Sequence, residues 1–314
     1  MQSRMFGDRT GLKVSHLALG TGMFGTAAGR GADPGEAARI FNSYAEAGGN
    51  FIDTSEAYQL GQAESLIGEF TASRRDEFII ASKYSRSASA HPSSTALGNN
   101  RKAMAKSVED SLRRLKTDRI DIYLPHFDDG ITPVEEIARG LDDLVRAGKV
   151  LYAGFSNFPA WRVGVAATLA DLRGWVPISV LQLEYNLIER TAEREFLPMA
   201  AALGLGVMGY SPLAGGVLTG KYRKGEAGRK GIAPEMNANS DAAVDALLAV
   251  SGQIGCSPDA VAIAWSIRKG IVPILGPRTQ AQLLDNLAGA TVELDDARVR
   301  QLDEARRHRT RPAI

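Results

Sequence analysis

Short apolar runs of strand length alternate with amphipathic helical patterns along the whole chain, a rhythm that repeated βα units around a parallel sheet produce. Strands are expected at residues 16–19, 51–53, 78–82, 120–124, 150–155, 180–183, 206–210 and 271–275, with a helix between consecutive members. Eight such units suit closure into a barrel, so the expected fold is α/β, a (β/α)8 TIM barrel. The stretch from Met5 to Val14 reads as a β-hairpin ahead of the first unit. No linker rich in proline, glycine or serine divides the chain, and residues 1–314 are expected to form one domain.

Helix starts and stops support this reading. Asp33-Pro34 places an N-cap before a proline at the first helical position, and Thr132-Pro133 followed by Glu135 and Glu136 repeats that chemistry. Gly48-Gly49, Gly148 and Gly204 end helical patterns just before the next strand. Two longer loops, residues 84–99 and 222–240, follow strands and would lie on the face where barrel sites are built.

The charges nearly balance, 37 Lys plus Arg against 36 Asp plus Glu, so the net charge of +1 points to neither a nucleic-acid nor a membrane partner. One cysteine, Cys256, leaves no intrachain disulfide, and His16, His91, His126 and His308 lack metal-ligand spacing, so no metal is expected. The N-terminal residues carry no signal-peptide pattern, and no run approaches the roughly 20 apolar residues of a spanning helix. The expected location is the cytoplasm.

Gly20-Thr-Gly-Met-Phe-Gly25 matches G-x-G-x-x-G after a strand, and Asp53 could then serve as the ribose-binding acid of a dinucleotide fold. In that fold the third glycine lies in the opening helical turn, whereas here residues 26–32 intervene before Asp33-Pro34. A strand-to-helix loop is the preferred reading. Its Thr21 and Gly22 are still expected to let a cofactor approach the backbone.

Asp53, Tyr58, Lys83 and His126 fall at or just beyond the C-terminal ends of consecutive strands, the catalytic face of a barrel. Together they supply what protonating a carbonyl during hydride transfer requires. Negative charge builds on the carbonyl oxygen, so the site needs a proton donor and polar groups aimed at that oxygen. Tyr58 can donate the proton. The Lys83 ammonium would lower its pKa by favouring phenolate, Asp53 would keep that ammonium charged, and His126 can hydrogen-bond the substrate oxygen and relay or share the proton. Pro125, immediately before His126, restricts the backbone there.

Further polar groups could serve a nicotinamide cofactor, although by residue type alone loop-stabilising polar groups and a core aromatic are slightly favoured, and it is a family resemblance that implies the cofactor. Ser156, Asn157 and Gln182 can pair with both sides of a carboxamide, and Tyr210 can stack on its ring. After the eighth strand, Arg278 and the start of the next helix offer a basic fork beside an anion-favouring helix end, a candidate site for a 2′-phosphate. NADP(H) is therefore preferred to NAD(H).

These residues resemble the aldo-keto reductase family, and the resemblance runs from Arg4 to Asn286. The run Phe51-Ile-Asp-Thr-Ser-Glu-Ala-Tyr58, with Gly61 and Glu64, is similar to that family's first signature. The resemblance implies a (β/α)8 barrel that uses NADPH without a Rossmann domain. Asp53, Tyr58, Lys83 and His126 match its catalytic residues, with Tyr58 the general acid/base. The segment from Tyr210 to Lys221 resembles the loop that covers the pyrophosphate, which implies cofactor contacts for Ser211, Pro212, Leu213, Gly215 and Lys221. By the same resemblance Gly276, Arg278, Gln282, Asp285 and Asn286 hold the adenosine end.

The leading expectation is an NADP(H)-dependent oxidoreductase that reduces aldehydes or ketones and works reversibly on alcohols. Channel-associated relatives suggest an alternative, a cofactor-sensing regulatory subunit. A barrel aldolase using Lys83 as a Schiff-base nucleophile is a third. Substrate contacts are expected from Met23, Phe24 and residues 84–99, 127–131 and 222–240, whose apolar members suit an apolar or aryl carbonyl compound. Oligomeric state leaves no signature.

Overall fold

The computed structural model describes residues 1–224 and 237–305. Strands β1 (Ser3–Met5) and β2 (Lys13–Ser15) pair antiparallel, with Arg4 opposite Val14, and form the expected hairpin. The parallel strands β3 (Ala18–Gly20), β4 (Phe51–Asp53), β5 (Ile79–Tyr84), β6 (Ile120–Pro125), β7 (Val150–Ser156), β8 (Ile178–Glu184), β9 (Gly206–Tyr210) and β10 (Val272–Leu275) close into a barrel. They lie in chain order round the ring, with β10 against β3.

Between them run α1 (Pro34–Glu46), α2 (Gln62–Thr71), α3 (Arg101–Leu115), α4 (Val134–Arg146), α5 (Ala160–Arg173) and α6 (Phe196–Leu203). Two helices, α7 (Ala238–Ile254) and α8 (Pro258–Arg268), separate β9 from β10. The chain continues through α9 (Gln280–Leu287) and α10 (Asp296–Glu304). No single helix among the described residues is long and apolar enough to cross a membrane.

The barrel encloses a core of its own. Phe51, Ala81, Ile122, Leu124, Val180, Met208, Val272 and Ile274 pack inside it. Phe6 and Val14 of the hairpin segment join that cluster, and Phe6 meets Phe51 edge to face with centroids 5.2 Å apart. Phe51 opens β4, so the hairpin plugs the N-terminal end of the barrel and leaves the C-terminal end for chemistry.

Two expected boundaries move. The first barrel strand begins at Ala18 rather than at residue 16, because the His16 amide donates to Gln2 O and the Leu17 carbonyl takes bonds from Ser15 Oγ and Tyr44 Oη. Asp33 caps α1 as expected, accepting from Gly35 N and Glu36 N. Thr132 does not cap α4: Pro133 holds the cap position, and the Thr132 hydroxyl donates to Asp129 Oδ2 at 2.6 Å.

Candidate active site

The barrel register brings the four expected catalytic residues together. Asp53 ends β4, Lys83 lies on β5, and His126 follows Pro125 at the end of β6. Tyr58 is returned to them by a tight turn in which Gln59 and Leu60 take left-handed backbone angles (φ 49° and 54°) and Gly61 follows at 86°. Two side chains in that region are costly for non-glycine residues. Gln59 supports the turn by donating to Gly22 O at 3.2 Å and accepting from Ala28 N at 3.0 Å.

Lys83 is fully buried, and its ammonium has three protons with three acceptors in place. They are Asp53 Oδ1 at 2.6 Å, Thr54 O at 2.9 Å and Tyr58 Oη at 3.2 Å. An ammonium can only donate, so Tyr58 Oη accepts this bond and its own proton is directed elsewhere. Asp53 Oδ1 also takes a bond from Gln182 Nε2 at 2.7 Å.

His126 is held at its backbone and at Nδ1. Its amide donates to Tyr84 O at 2.9 Å, its carbonyl accepts from Asn157 Nδ2 at 3.0 Å, and its Nδ1 lies 3.1 Å from Ser55 Oγ. Phe127 stacks on its ring at 4.7 Å and 19°, while Tyr58 meets it edge-on at 5.8 Å. Pro125 pairs with Tyr84 in the β5–β6 ladder, so the proline extends the strand and leaves His126 anchored.

Burial governs the protonation states. It pushes the His126 imidazole down to about 2, helped by the Lys83 and Arg86 charges, so the ring is neutral. Lys83 is opposed by desolvation, but Asp53 and Tyr58 outweigh it and its pKa is raised. Tyr58 departs from expectation. Desolvation raises its pKa, and the opposing pull of Lys83 does not reverse that, so its resting hydroxyl is a neutral proton donor.

A cleft of about 830 Å³ opens beside these groups, within the range of small-molecule and cofactor sites. Among the expected catalytic and cofactor positions, Gly22, Asp53, Tyr58, His126, Asn157, Gln182 and Tyr210 line it. So do Ser211, Pro212, Leu213, Gly215, Lys221, Gly276, Arg278, Gln282, Asp285 and Asn286. Three positions stand behind the wall. Lys83 is buried against Asp53 and Tyr58, Thr21 is buried with its hydroxyl on Asp53 O at 3.1 Å, and buried Ser156 receives Asn157 Nδ2 at 3.0 Å.

The helix end beside Arg278 is more occupied than its sequence suggests. Gln280 N donates to Glu36 Oε1 at 2.6 Å, and the Thr279 hydroxyl caps Gln282 N at 3.3 Å. The Arg278 guanidinium itself meets no carboxylate among the described residues, leaving its charge for an anion.

The expected substrate contacts divide. Met23, Phe127 and Tyr222 line the cleft, but Phe24 is fully buried in the outer core. Residues 84–99 do not reach the cleft wall; Tyr84 is buried, and Asn99 ties this loop to the next through Phe127 O and the Asp129 backbone amide. Residues 225–236 of the other long loop lie outside the described residues. Sequence reasoning passed over Ala28, Arg30, Gln59, Thr219 and Asp259 in the wall, and Ser55 behind His126. Two of these carried a signal, Ser55 by its place between Asp53 and Tyr58 and Thr219 by its place in the Tyr210–Lys221 segment. Gly20 serves packing: a Cβ there would fall 2.7 Å from Ile274 Cγ2 and 2.8 Å from Leu275 O.

Fold and site together define a class, a closed (β/α)8 barrel with a buried Asp–Lys pair and a half-buried tyrosine at the carboxyl ends of its strands. Within it, the chain belongs to the aldo/keto reductase family, a family of oxidoreductases whose sequence model matches residues 16–307. It is similar to aldo-keto reductase ausK of Aspergillus calidoustus, 36% identical over 319 residues that cover 96% of this chain and 81% of that protein. It is also similar to the uncharacterized oxidoreductase YrpG of Bacillus subtilis (strain 168), 36% identical over 308 residues, with 94% and 93% covered. The NADP(+) aryl-alcohol dehydrogenase of Phanerodontia chrysosporium is 34% identical over 326 residues, with 96% and 85% covered.

Proposed function

We propose that this protein is an NADP(H)-dependent oxidoreductase that interconverts an apolar or aryl aldehyde or ketone with its alcohol, with Tyr58 as general acid/base. The observation that carries the reading is the placement of all three Lys83 protons, one of them on Tyr58 Oη at 3.2 Å. The tyrosine proton is thereby free to serve a carbonyl oxygen, and the buried ammonium stabilises the phenolate left behind. Asp53 holds Lys83 in its charged form. The same placement speaks against a Schiff base, because a charged lysine with no free electron pair is not a nucleophile.

The residues present fit a nicotinamide dinucleotide phosphate. Arg278 and Lys221, neither of them paired with a carboxylate among the described residues, supply positive charge along the cleft. Gln182 keeps Oε1 unengaged by described residues while its Nε2 is fixed, an acceptor for a carboxamide N–H. When bound, NADPH supplies the hydride. Ser211 to Gly215 would hold the pyrophosphate region and Arg278 the 2′-phosphate. The aryl-alcohol dehydrogenase relative supports both the cofactor and the aryl substrate.

A panel of carbonyl compounds followed by NADPH absorbance, with NADH alongside, tests the activity. Tyr58→Phe is expected to lose turnover and to retain NADPH binding by fluorescence. Full activity in that variant would sink the mechanism, and absence of turnover across the panel would sink the function.

A further inference from the structure

We propose that Ser55 is a positioning residue that fixes the tautomer of His126, so that the imidazole presents Nε2–H to the cleft and receives a hydrogen bond at Nδ1. The inference rests on the reading that a carbonyl is reduced at this site. It follows from counting protons around one buried hydroxyl.

Ser55 is 0% exposed, and its Oγ stands 3.1 Å from His126 Nδ1. The same oxygen accepts the Ala57 amide at 3.3 Å. A serine hydroxyl has one proton to give and two lone pairs. Were Nδ1 protonated, Oγ would receive two donors and its own proton would find no acceptor among the described residues, a buried donor left unsatisfied. With the serine as donor, every group is matched: Ala57 N–H gives to Oγ, and Oγ–H gives to Nδ1. Neutral imidazole then carries its proton on Nε2, which has no partner among the described residues and belongs to a ring that lines the cleft.

The charges around the ring hold it neutral. Lys83 and Arg86 both oppose an imidazolium, as does burial. Phe127 covers one ring face and the backbone is tied at both N and O, so Ser55 selects which nitrogen bears hydrogen in a ring already fixed in place. The consequence is a division of labour. Nε2–H of His126 and O–H of Tyr58 are two donors available to one carbonyl oxygen, and only Tyr58 gives its proton up. Ser55 reaches the substrate through His126 alone.

The test reads the tautomer directly. The full chain, labelled with 15N histidine, is examined by NMR at pH 7.5 without cofactor or substrate, and His126→Gln identifies the His126 ring signals. The expected wild-type pattern is a protonated Nε2 with an unprotonated, hydrogen-bonded Nδ1. Ser55→Ala is expected to lose that single-tautomer pattern and to lower kcat at least about tenfold with NADPH affinity unchanged, and Ser55→Thr to restore both. A protonated Nδ1 in the wild type overturns the proposal without any variant. So does a Ser55→Ala protein whose tautomer and kcat are those of the wild type. A wild type with Nε2–H that reduces no carbonyl upholds the tautomer assignment and overturns only the reductase reading.

Discussion

Gln182 and Asp53 meet across the full width of the barrel mouth, with the amide Nε2 2.7 Å from the carboxylate Oδ1. Their strands β8 and β4 are four places apart in a ring of eight, so they stand opposite one another. The bond gives the carboxylate oxygen that accepts from Lys83 Nζ a second donor from across the barrel. A hydrogen bond to a buried charge is worth about 1.5–3 kcal/mol. Gln182→Met keeps the volume and removes the donor, and a stability loss of that size is expected in urea unfolding.

Lys83→Met should be more damaging. It leaves Asp53, 2% exposed, without its cation, and breaking a buried pair by removing one partner costs roughly 3–5 kcal/mol. Adding Asp53→Asn to that variant is expected to recover part of the loss, because the orphaned charge is then gone. Equilibrium unfolding of the two singles and the double measures the coupling. Additive losses would mean that the two groups do not interact.

Arg278 separates the two nicotinamide cofactors under the proposed role. Its guanidinium is half-buried at the cleft with no carboxylate partner among the described residues, so Arg278→Ala removes a charge-assisted contact and little else. NADPH affinity is expected to fall by about 10- to 100-fold and NADH affinity by much less. Fluorescence titration with each cofactor provides the comparison, and equal losses would remove the 2′-phosphate from the assignment.

The barrel and the grouping of Asp53, Tyr58, Lys83 and His126 at its mouth were legible because they rest on local patterns. A strand in a parallel barrel is apolar on both faces, and a polar residue ending such a run stands out, as Asp53 and Lys83 do. What stayed hidden depends on contacts across the fold. No local pattern says that Gln182 would reach Asp53, that Asn99 would bind Phe127 O, or that Glu36 would take the Gln280 amide from the end of α9. Phe24 and Met23 are adjacent apolar loop residues of which one faces the core and the other the cleft, a choice made by tertiary packing. The expected fall in the Tyr58 pKa failed for a related reason. The Lys83 charge was readable, but the degree of burial that opposes it was not.

Gly49 illustrates how one residue type hides two purposes. Its sequence context suggests a helix stop, yet a Cβ there would lie 2.3–2.5 Å from the Tyr44 ring. Tyr44 cannot retreat: it is fully buried, with Oη 2.8 Å from both Leu17 O and Phe51 O. Gly49→Ala is therefore expected to cost about 1–3 kcal/mol through overpacking. Gly252, exposed in α7 with nothing within 4 Å of a Cβ, is the control, and Gly252→Ala should stabilise by about 0.5–1 kcal/mol. Thermal and urea unfolding of the two variants should move in opposite directions.

The neutral imidazole of His126 makes folding sensitive to acid. Its ordinary pKa of 6.5 holds in the unfolded chain, whereas burial, Lys83 and Arg86 depress it to about 2 in the fold. Between those values the unfolded chain binds a proton that the folded chain refuses, so stability rises with pH through the window and is lost as pH falls below 6.5. At pH 5 the loss from this one group is about 2 kcal/mol, since each pH unit below 6.5 contributes about 1.4 kcal/mol. Other groups titrate in the same range, so the comparison that isolates it is between wild type and His126→Gln, each unfolded in urea at pH 7.5 and pH 5. The variant cannot take up the proton and is expected to lose about 2 kcal/mol less on acidification. Equal losses would mean that His126 is protonated in the folded protein at pH 5, and at that pH a charged ring has no unprotonated Nδ1 to accept from Ser55.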